Sequence, residues 1–526
     1  MMDVLLILFG LGGAIALGSA VVTAISKWLC PVEPSSQQAS VRSRMPVILN
    51  PETIGLGIPL GLGLTSWLLL LAGMAGIPLG RPWSFALAAG SWMAGGIAWR
   101  ITKRPPERKS GNAEIPASAF TIGCRWLMGL LIANLACQTL LTPQHLWDER
   151  AIYGIKAAVL SEDQDLNSES LTDPLFVQYH PRYPLLLPLA EHHVYALIGR
   201  VDDRLAKLVI VMMYSGLLLG FAGVLSRRFG PDSGWGTAVL LGTIPAVSFW
   251  EYGFLCAQAD APLACYHGLA VLCAWDALDQ LRRGMRFDRL AQAGLLAGLA
   301  VFVKDEGIAF ALVDAAVLGV MLLSGRHLRG IGLFLAGTVL IAVPWFWHRT
   351  SLPVTGEMTY FSRLTPAALQ MGLATLGWSL RHLLFRMFRE AGTWGLHWWG
   401  VLLSLVAHPR RALDRSQLFL LLDLAGALCS LLVAGMIAPT TVEEHIGGSS
   451  HRFLLQLTPV ALLFLVGQWN RAMPDLAEEA PTSVSPEKSP GRPQQDTSQR
   501  NKPQTNMSPA KPVRPSGSRA DARRKK

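Results

Sequence analysis

Two adjacent carboxylates, Asp148 and Glu149, stand just past the end of an apolar stretch, within Trp147-Asp148-Glu149-Arg150-Ala151-Ile152-Tyr153. A carboxylate poorly solvated at the end of a membrane span can act as general base on an acceptor hydroxyl within hydrogen-bond reach. A short helical turn would present one acid to a cavity and leave the other to pair with Arg150 or Lys156. The same pair also suits the acidic start of a helix, favoured by the helix dipole, and the residues alone leave both readings open. Further on, Pro181-Arg182-Tyr183-Pro184 closes an extended turn ahead of an apolar, interfacial helix through Ile198. Arg182 and Tyr183 there could hold an anionic headgroup or simply snorkel at the interface.

Other charged groups fall at comparable places. Ala259-Asp260-Ala261-Pro262 puts an acid at the mouth of a span, and Lys304-Asp305-Glu306-Gly307 sets three charges between two apolar segments with almost no loop around them. Ionisable residues at such depth are costly and are candidates for function by default. An ion network of Lys304 with Asp305 and Glu306 that closes a tight turn is the structural alternative. His445 and the run His451-Arg452-Phe453-Leu454-Leu455 add basic groups, and Arg suits bidentate phosphate binding.

The elements that must position these groups are membrane spans. Of 526 residues, 51% are hydrophobic and 16% charged, and apolar stretches recur at about 17–25 residues, the length that crosses a hydrocarbon core. An all-α polytopic bundle is expected, and strand-like alternation is absent. Thirteen spans fit, at roughly 4–26, 53–76, 83–99, 126–142, 207–225, 235–252, 261–279, 290–304, 307–324, 330–348, 395–408, 416–438 and 453–469. The first reads as a retained span, because it lacks a basic leader and a small-residue cleavage site.

Sidedness follows from Lys and Arg in short loops. The linker 100–125, Arg227 and Arg228, the 282–289 loop, Arg326 and Arg329, the 410–415 loop and the C-terminal tail then share the cytoplasmic side. The N-terminus and the acidic clusters take the other side. Arg363, Arg381, Arg386 and Arg389 lie in an outer segment, where an amphipathic surface helix or a re-entrant segment would accommodate them.

Three regions are expected: N-terminal spans with a basic linker (1–125), a catalytic membrane domain (126–470) with its outer loop at 143–206, and a tail (471–526). The tail is rich in Pro, Ser, Gln, Lys and Arg, which predicts disorder. Anionic lipid headgroups explain its charge more simply than nucleic acid does. The seven cysteines show no metal spacing and read as small packing residues. No obvious metal-ligand set and no Gly-rich nucleotide loop appears, so neither a metal nor another cofactor is expected.

Taken in order, the Asp-Glu pair, Tyr183-Pro184-Leu185-Leu186-Leu187-Pro188-Leu189, Ala259-Asp260-Ala261-Pro262, the Lys304–Gly307 turn and the run from His451 through Pro459 resemble the GT-C glycosyltransferases. More narrowly they resemble the protein mannosyltransferase and aminoarabinose transferase-like branch, over about 126–470. The resemblance implies a polyprenyl-phosphate sugar donor, a lipid, glycan or protein acceptor, and inverting transfer at the extracytoplasmic face. It implies Asp148 as base, with Glu149 as partner or substitute. Arg150, Lys156, Arg182, Tyr183, Lys304 and Arg452 would serve the donor phosphate, supported by Asp260, Asp305, Glu306, His445 and His451. The family commonly has Lys-Asn-Glu-Gly or Lys-Glu-Glu-Gly at the turn, so Asp305 is a departure.

Two other classes remain. A transporter or flippase of lipid-linked or anionic solutes would show internal repeats and charges near the bilayer midplane, and no repeat is found. A non-catalytic anchoring protein would be indifferent to replacement of Asp148. Gly, Ala and Arg richness without eukaryotic targeting signals favours a bacterial plasma membrane.

Overall fold

The computed structural model describes residues 2–29, 50–102, 117–249, 251–281, 285–324, 327–353, 360–438 and 440–470. The expected tail, most of the basic linker, Cys30, Arg282, Arg283 and Arg326 fall outside them. Among the described residues every regular element is a helix. In hydrocarbon each backbone polar group has to be satisfied within its own segment, and a helix does this.

The chain runs through α1 (Met2–Leu29), α2 (Pro51–Met74), α3 (Arg81–Thr102) and α4 (Ala119–Leu141) into a polar loop. That loop holds a π-helical turn, Glu149–Gly154, continuous with α5 (Ile155–Asp163), and then α6 (Leu186–Ile198). Next come α7 (Leu208–Phe229), α8 (Pro231–Thr243), α9 (Asp260–Asp279), α10 (Phe287–Val303), α11 (Glu306–Ser324) and α12 (Leu328–Ser351). α13 (Leu376–Arg389), α14 (His397–Ala407), α15 (Arg415–Ile437) and α16 (Val442–Trp469) complete the order.

Nine of these are long and apolar enough to cross a membrane among the described residues: α1, α2, α4, α7, α9, α11, α12, α15 and α16. The chain is therefore an all-α polytopic protein of multi-pass character. The other four expected spans coincide with α3, which is less apolar, and with the shorter α8, α10 and α14. α8 stops at Thr243 because Pro245 follows. Proline removes a donor and drives the residue before it, Ile244, into extended backbone (ψ 120°).

At α16 the helix begins eleven residues before the expected 453. Thr441 accepts the Glu444 N–H, a Thr-x-x-Glu start that fixes the N-terminus at Val442. His445, His451 and Arg452 thus ride on a helix rather than in a loop. The Arg-bearing segment ahead of α14 contains the amphipathic α13, where Leu383 is buried and Arg381 exposed.

Contacts sort the helix ends into two sets. At one end Asp3 pairs with Arg200, the Leu79 N–H donates to the Gln164 carbonyl, and Arg349 clasps Asp305. At the other, Arg227 bridges Glu52 (2.8 Å) and Asp276 (2.6 Å), Ser416 meets Asp279, and Ser233 meets Asn470. Asp260 and Asp276 therefore mark opposite ends of the one helix α9. The N-terminal helices belong to the same compact unit, Met1–Pro474, as the rest.

Close backbone approach joins α1 to α2 and α2 to α7. A Cβ on Gly61 would run into the Ala14 carbonyl, one on Gly18 into the Gly57 carbonyl, and one on Gly55 into the backbone of Gly220. Gly57 and Gly61 form a small-xxx-small stripe, which lets helices in lipid pack on backbone surface. By contrast a Cβ on Gly129 meets nothing within 4 Å. Gly61→Leu should lower stability by about 1–3 kcal/mol or more, read as thermal unfolding in detergent, whereas Gly129→Ala should stay within about 0.5 kcal/mol. Equal effects of the two would refute the close contact.

Candidate functional site

At the end of the bundle marked by Asp260 the charged groups join into one chain of contacts. Asp260, with no exposed surface, accepts from Lys304 Nζ at 2.8 Å and Gln456 Nε2 at 2.7 Å on one oxygen, and from Arg452 Nε at 2.8 Å on the other. Arg452 then reaches Asp148 with its second arm at 2.9 Å, and Lys304 reaches Glu306 at 2.7 Å. Arg452 also lies over the ring of Tyr252, 5.3 Å from its centroid. Five separate stretches of chain thus meet here. Three of them have a local reason to deliver their residues: α9 starts at Asp260, Lys304 ends α10 in extended backbone, and the early start of α16 puts Arg452 and Gln456 four apart on one face.

The two acids of the first loop have different fates. Asp148 keeps 24% of its side chain exposed and faces Arg452. Glu149 has none exposed and pairs with the equally buried Lys207 at 3.1 Å. Its oxygens also accept the Ala257 N–H (2.9 Å) and the His145 and Leu146 N–H groups (2.9 and 3.4 Å). With its acceptor sites filled and no route to solvent, Glu149 anchors the loop, and the structure gives it no place as partner or substitute for Asp148. The π-helical turn that begins at Glu149 presents the pair to two environments, and such turns concentrate at functional sites.

Beside Asp148 lies an aromatic and basic surround. Tyr153 is buried, and that burial, then Asp260, Tyr183 and Asp148, outweigh Arg452 to push its phenol well above the ordinary 10. It is a neutral hydrogen-bond group at any working pH. Lys156 is also buried: it donates to the His180 carbonyl at 2.6 Å and lies 5.8 Å from the Tyr183 ring centroid. His180 stacks on Tyr183 and adopts a left-handed φ of 50°, rare outside glycine, which turns its carbonyl to Lys156. Burial and then Lys156 lower the pKa of His180 below 6.5, against the pull of Asp148, so its ring is neutral near pH 7. A cavity of about 130 Å³ opens between Lys156, Val159, Tyr179 and Pro181.

The remaining expected residues divide. Arg182 is half-buried, and its Nε finds no hydrogen-bond partner among the described residues. Arg150 is exposed. Asp305 pairs with both arms of Arg349 (3.0 and 3.1 Å), away from Lys304. His445 meets the Tyr360 hydroxyl at 3.4 Å, and His451 pairs with Glu390 and stacks on Trp394. Gln456, Tyr153, Tyr252 and Lys207 were not singled out from sequence. The four-residue spacing of Arg452 and Gln456 was a usable signal; a lone Lys207 at a span mouth reads as snorkelling and gave none.

The chain is thus a polytopic helical membrane protein with an ion-paired, partly open acid at one end of its bundle. Comparison with protein-family models, with curated proteins and with solved structures finds no match to it.

The contrast between the acids is testable in stability. Glu149→Ala strands the buried Lys207 ammonium and should cost about 3–5 kcal/mol, the usual result of breaking a buried pair. Asp148→Asn, at a partly solvated pair whose Arg452 keeps Asp260, should cost less than about 1 kcal/mol. Thermal unfolding of both variants in one detergent checks this, and a reversed order would contradict the assignment.

Proposed function

We propose that this protein is a membrane glycosyltransferase that moves a sugar from a polyprenyl-phosphate donor to an acceptor hydroxyl at the outer face, with inversion and with Asp148 as general base. One observation carries the reading: a partly open carboxylate is held 2.9 Å from an arginine that also pairs with a fully buried acid. The motif order that resembles the GT-C branch supports it. In this reading the alternation of helix ends gives thirteen spans, with α3, α8, α10 and α14 among them and the Asp260 end extracytoplasmic.

Arg452 and Lys304 supply positive charge where the donor phosphate arrives. The incoming phosphate takes over part of the Arg452 fork from Asp148, which frees that carboxylate to accept the acceptor proton. The hydroxyl oxygen attacks the anomeric carbon as the carbon–oxygen bond to the phosphate breaks. The electron pair leaves with the polyprenyl phosphate, whose growing charge the two cations stabilise. Asp260 holds both cations in place, Tyr153 offers a neutral hydroxyl nearby, and Lys156 borders the small cavity.

Transport of an ionic solute is a second reading, and one observation favours it: His267, Asp314 and Asp423 are buried within spans, where transporters place charge. Purified protein incubated with a panel of polyprenyl-phosphate sugars separates the two. Wild type should release free polyprenyl phosphate, and Asp148→Asn should be slower by about 10²–10⁴-fold while remaining folded. Release that is equal or absent in both, together with solute uptake into proteoliposomes, would replace transfer by transport.

A further inference from the structure

Three spans far apart in sequence meet inside the bundle at His267 of α9, Asp314 of α11 and Asp423 of α15. Their side chains are 1%, 2% and 0% exposed. His267 Nε2 lies 3.6 Å from an Asp423 oxygen and 3.9 Å from an Asp314 oxygen, and one ligating atom from each residue falls within 4.8 Å of the others. These separations are too long for hydrogen bonds of about 2.7–3.2 Å. Neither ring nitrogen of His267, neither oxygen of Asp423 and not Oδ1 of Asp314 has a hydrogen-bond partner among the described residues. Phe310 stacks on the imidazole at 4.4 Å and Phe453 meets Phe310 edge-on, so the surroundings are apolar.

Buried polar atoms in folded proteins are nearly always satisfied, and two ionised carboxylates in an apolar setting are costly unless neutralised. One ligating atom from each of the three residues lies within 4.8 Å of the others, and the unsatisfied atoms on all three mark a missing partner. We propose that His267, Asp314 and Asp423 bind one divalent cation of the Mn²⁺-to-Zn²⁺ series inside the membrane domain. A double positive charge balances both carboxylates at once. Imidazole beside carboxylate suits first-row metals, whereas Mg²⁺ and Ca²⁺ favour oxygen-only shells. With metal–ligand bonds of about 2.0–2.2 Å, neighbouring ligands stand roughly 3–3.5 Å apart. The two histidine–carboxylate separations, 3.6 and 3.9 Å, exceed that spacing by less than about 1 Å.

The position gives the cation a consequence. At about 1.5 Å per residue, His267 lies roughly 10 Å along α9 from Asp260, and Asp314 roughly 12 Å along α11 from Glu306. The ion ties the two helices that carry Asp260 and Glu306 to α15, and so fixes the base on which the candidate site stands. It touches no reacting group and is independent of whether the protein transfers sugar.

Full-length protein purified in detergent and stripped with chelator should be titrated separately with Zn²⁺, Mn²⁺ and Mg²⁺. The expected result is one Zn²⁺ or Mn²⁺ per chain by elemental analysis, a raised unfolding midpoint with either, and neither effect with Mg²⁺. His267→Ala and Asp423→Asn should each weaken binding at least tenfold. Zinc K-edge absorption of the wild type, which needs no variant to fold, should read nitrogen and oxygen donors including imidazole. No stoichiometric metal in the wild type would overturn the proposal and leave Asp314 and Asp423 as a pair sharing a proton. Binding that persists in both variants, or an edge spectrum without imidazole, would overturn it too.

Discussion

A carboxylate with no exposed surface, Asp260, lies at the mouth of an apolar span, and the arrangement of that end of the molecule follows from neutralising it. An ionised acid removed from water is tolerated only when opposite charge and donors fill its lone pairs. Asp260 draws Lys304 from the end of α10 and Arg452 and Gln456 from α16. Each recruited cation carries a second contact outward, Lys304 to Glu306 and Arg452 to Asp148. The outermost acid is therefore positioned by a charge balance whose centre is out of reach of solvent.

The same rule acts on the loop that presents Asp148. Lys207 begins α7, and its burial obliges Glu149 to turn inward; the neighbouring acid then points to the open side. One residue of a pair that is indistinguishable by chemistry becomes an anchor and the other becomes available. At the opposite end of the bundle, Glu52 and Asp276 are balanced by Arg227 and Arg289. The molecule is laced by charge at both ends, and its middle is held by apolar packing and by glycines that let α1, α2 and α7 touch through backbone. His267, Asp314 and Asp423 break that division, because they are ionisable groups buried in the middle whose polar atoms are mostly without hydrogen-bond partners among the described residues.

The fold class was legible from composition and segment length alone, because a chain that must satisfy its backbone in hydrocarbon has few options besides the helix. Nine of the expected spans recur as helices able to cross a membrane, but the ends expected at 252 and 453 fall instead at Thr243, ahead of Pro245, and at Val442, after the Thr441 cap. Asp148, Asp260, Lys304, Glu306 and Arg452 could be picked from sequence because charge at a span mouth is costly wherever the span goes.

Which of those charges meet was a different matter. Asp260 and Arg452 are separated by 192 positions, and no local pattern says that α9 and α16 are neighbours. Whether Asp148 or Glu149 faces solvent depended on Lys207, and Asp305 turned to Arg349 rather than to Lys304 beside it. The His267, Asp314 and Asp423 cluster could not be read as a ligand set, since each acid alone is one polar residue in an apolar run. The sequence by itself determined that the chain is a helical membrane protein and which residues are expensive to bury. The tertiary structure alone decided how that expense is shared, because electrostatic pairing acts over a few ångströms in space and is blind to distance along the chain.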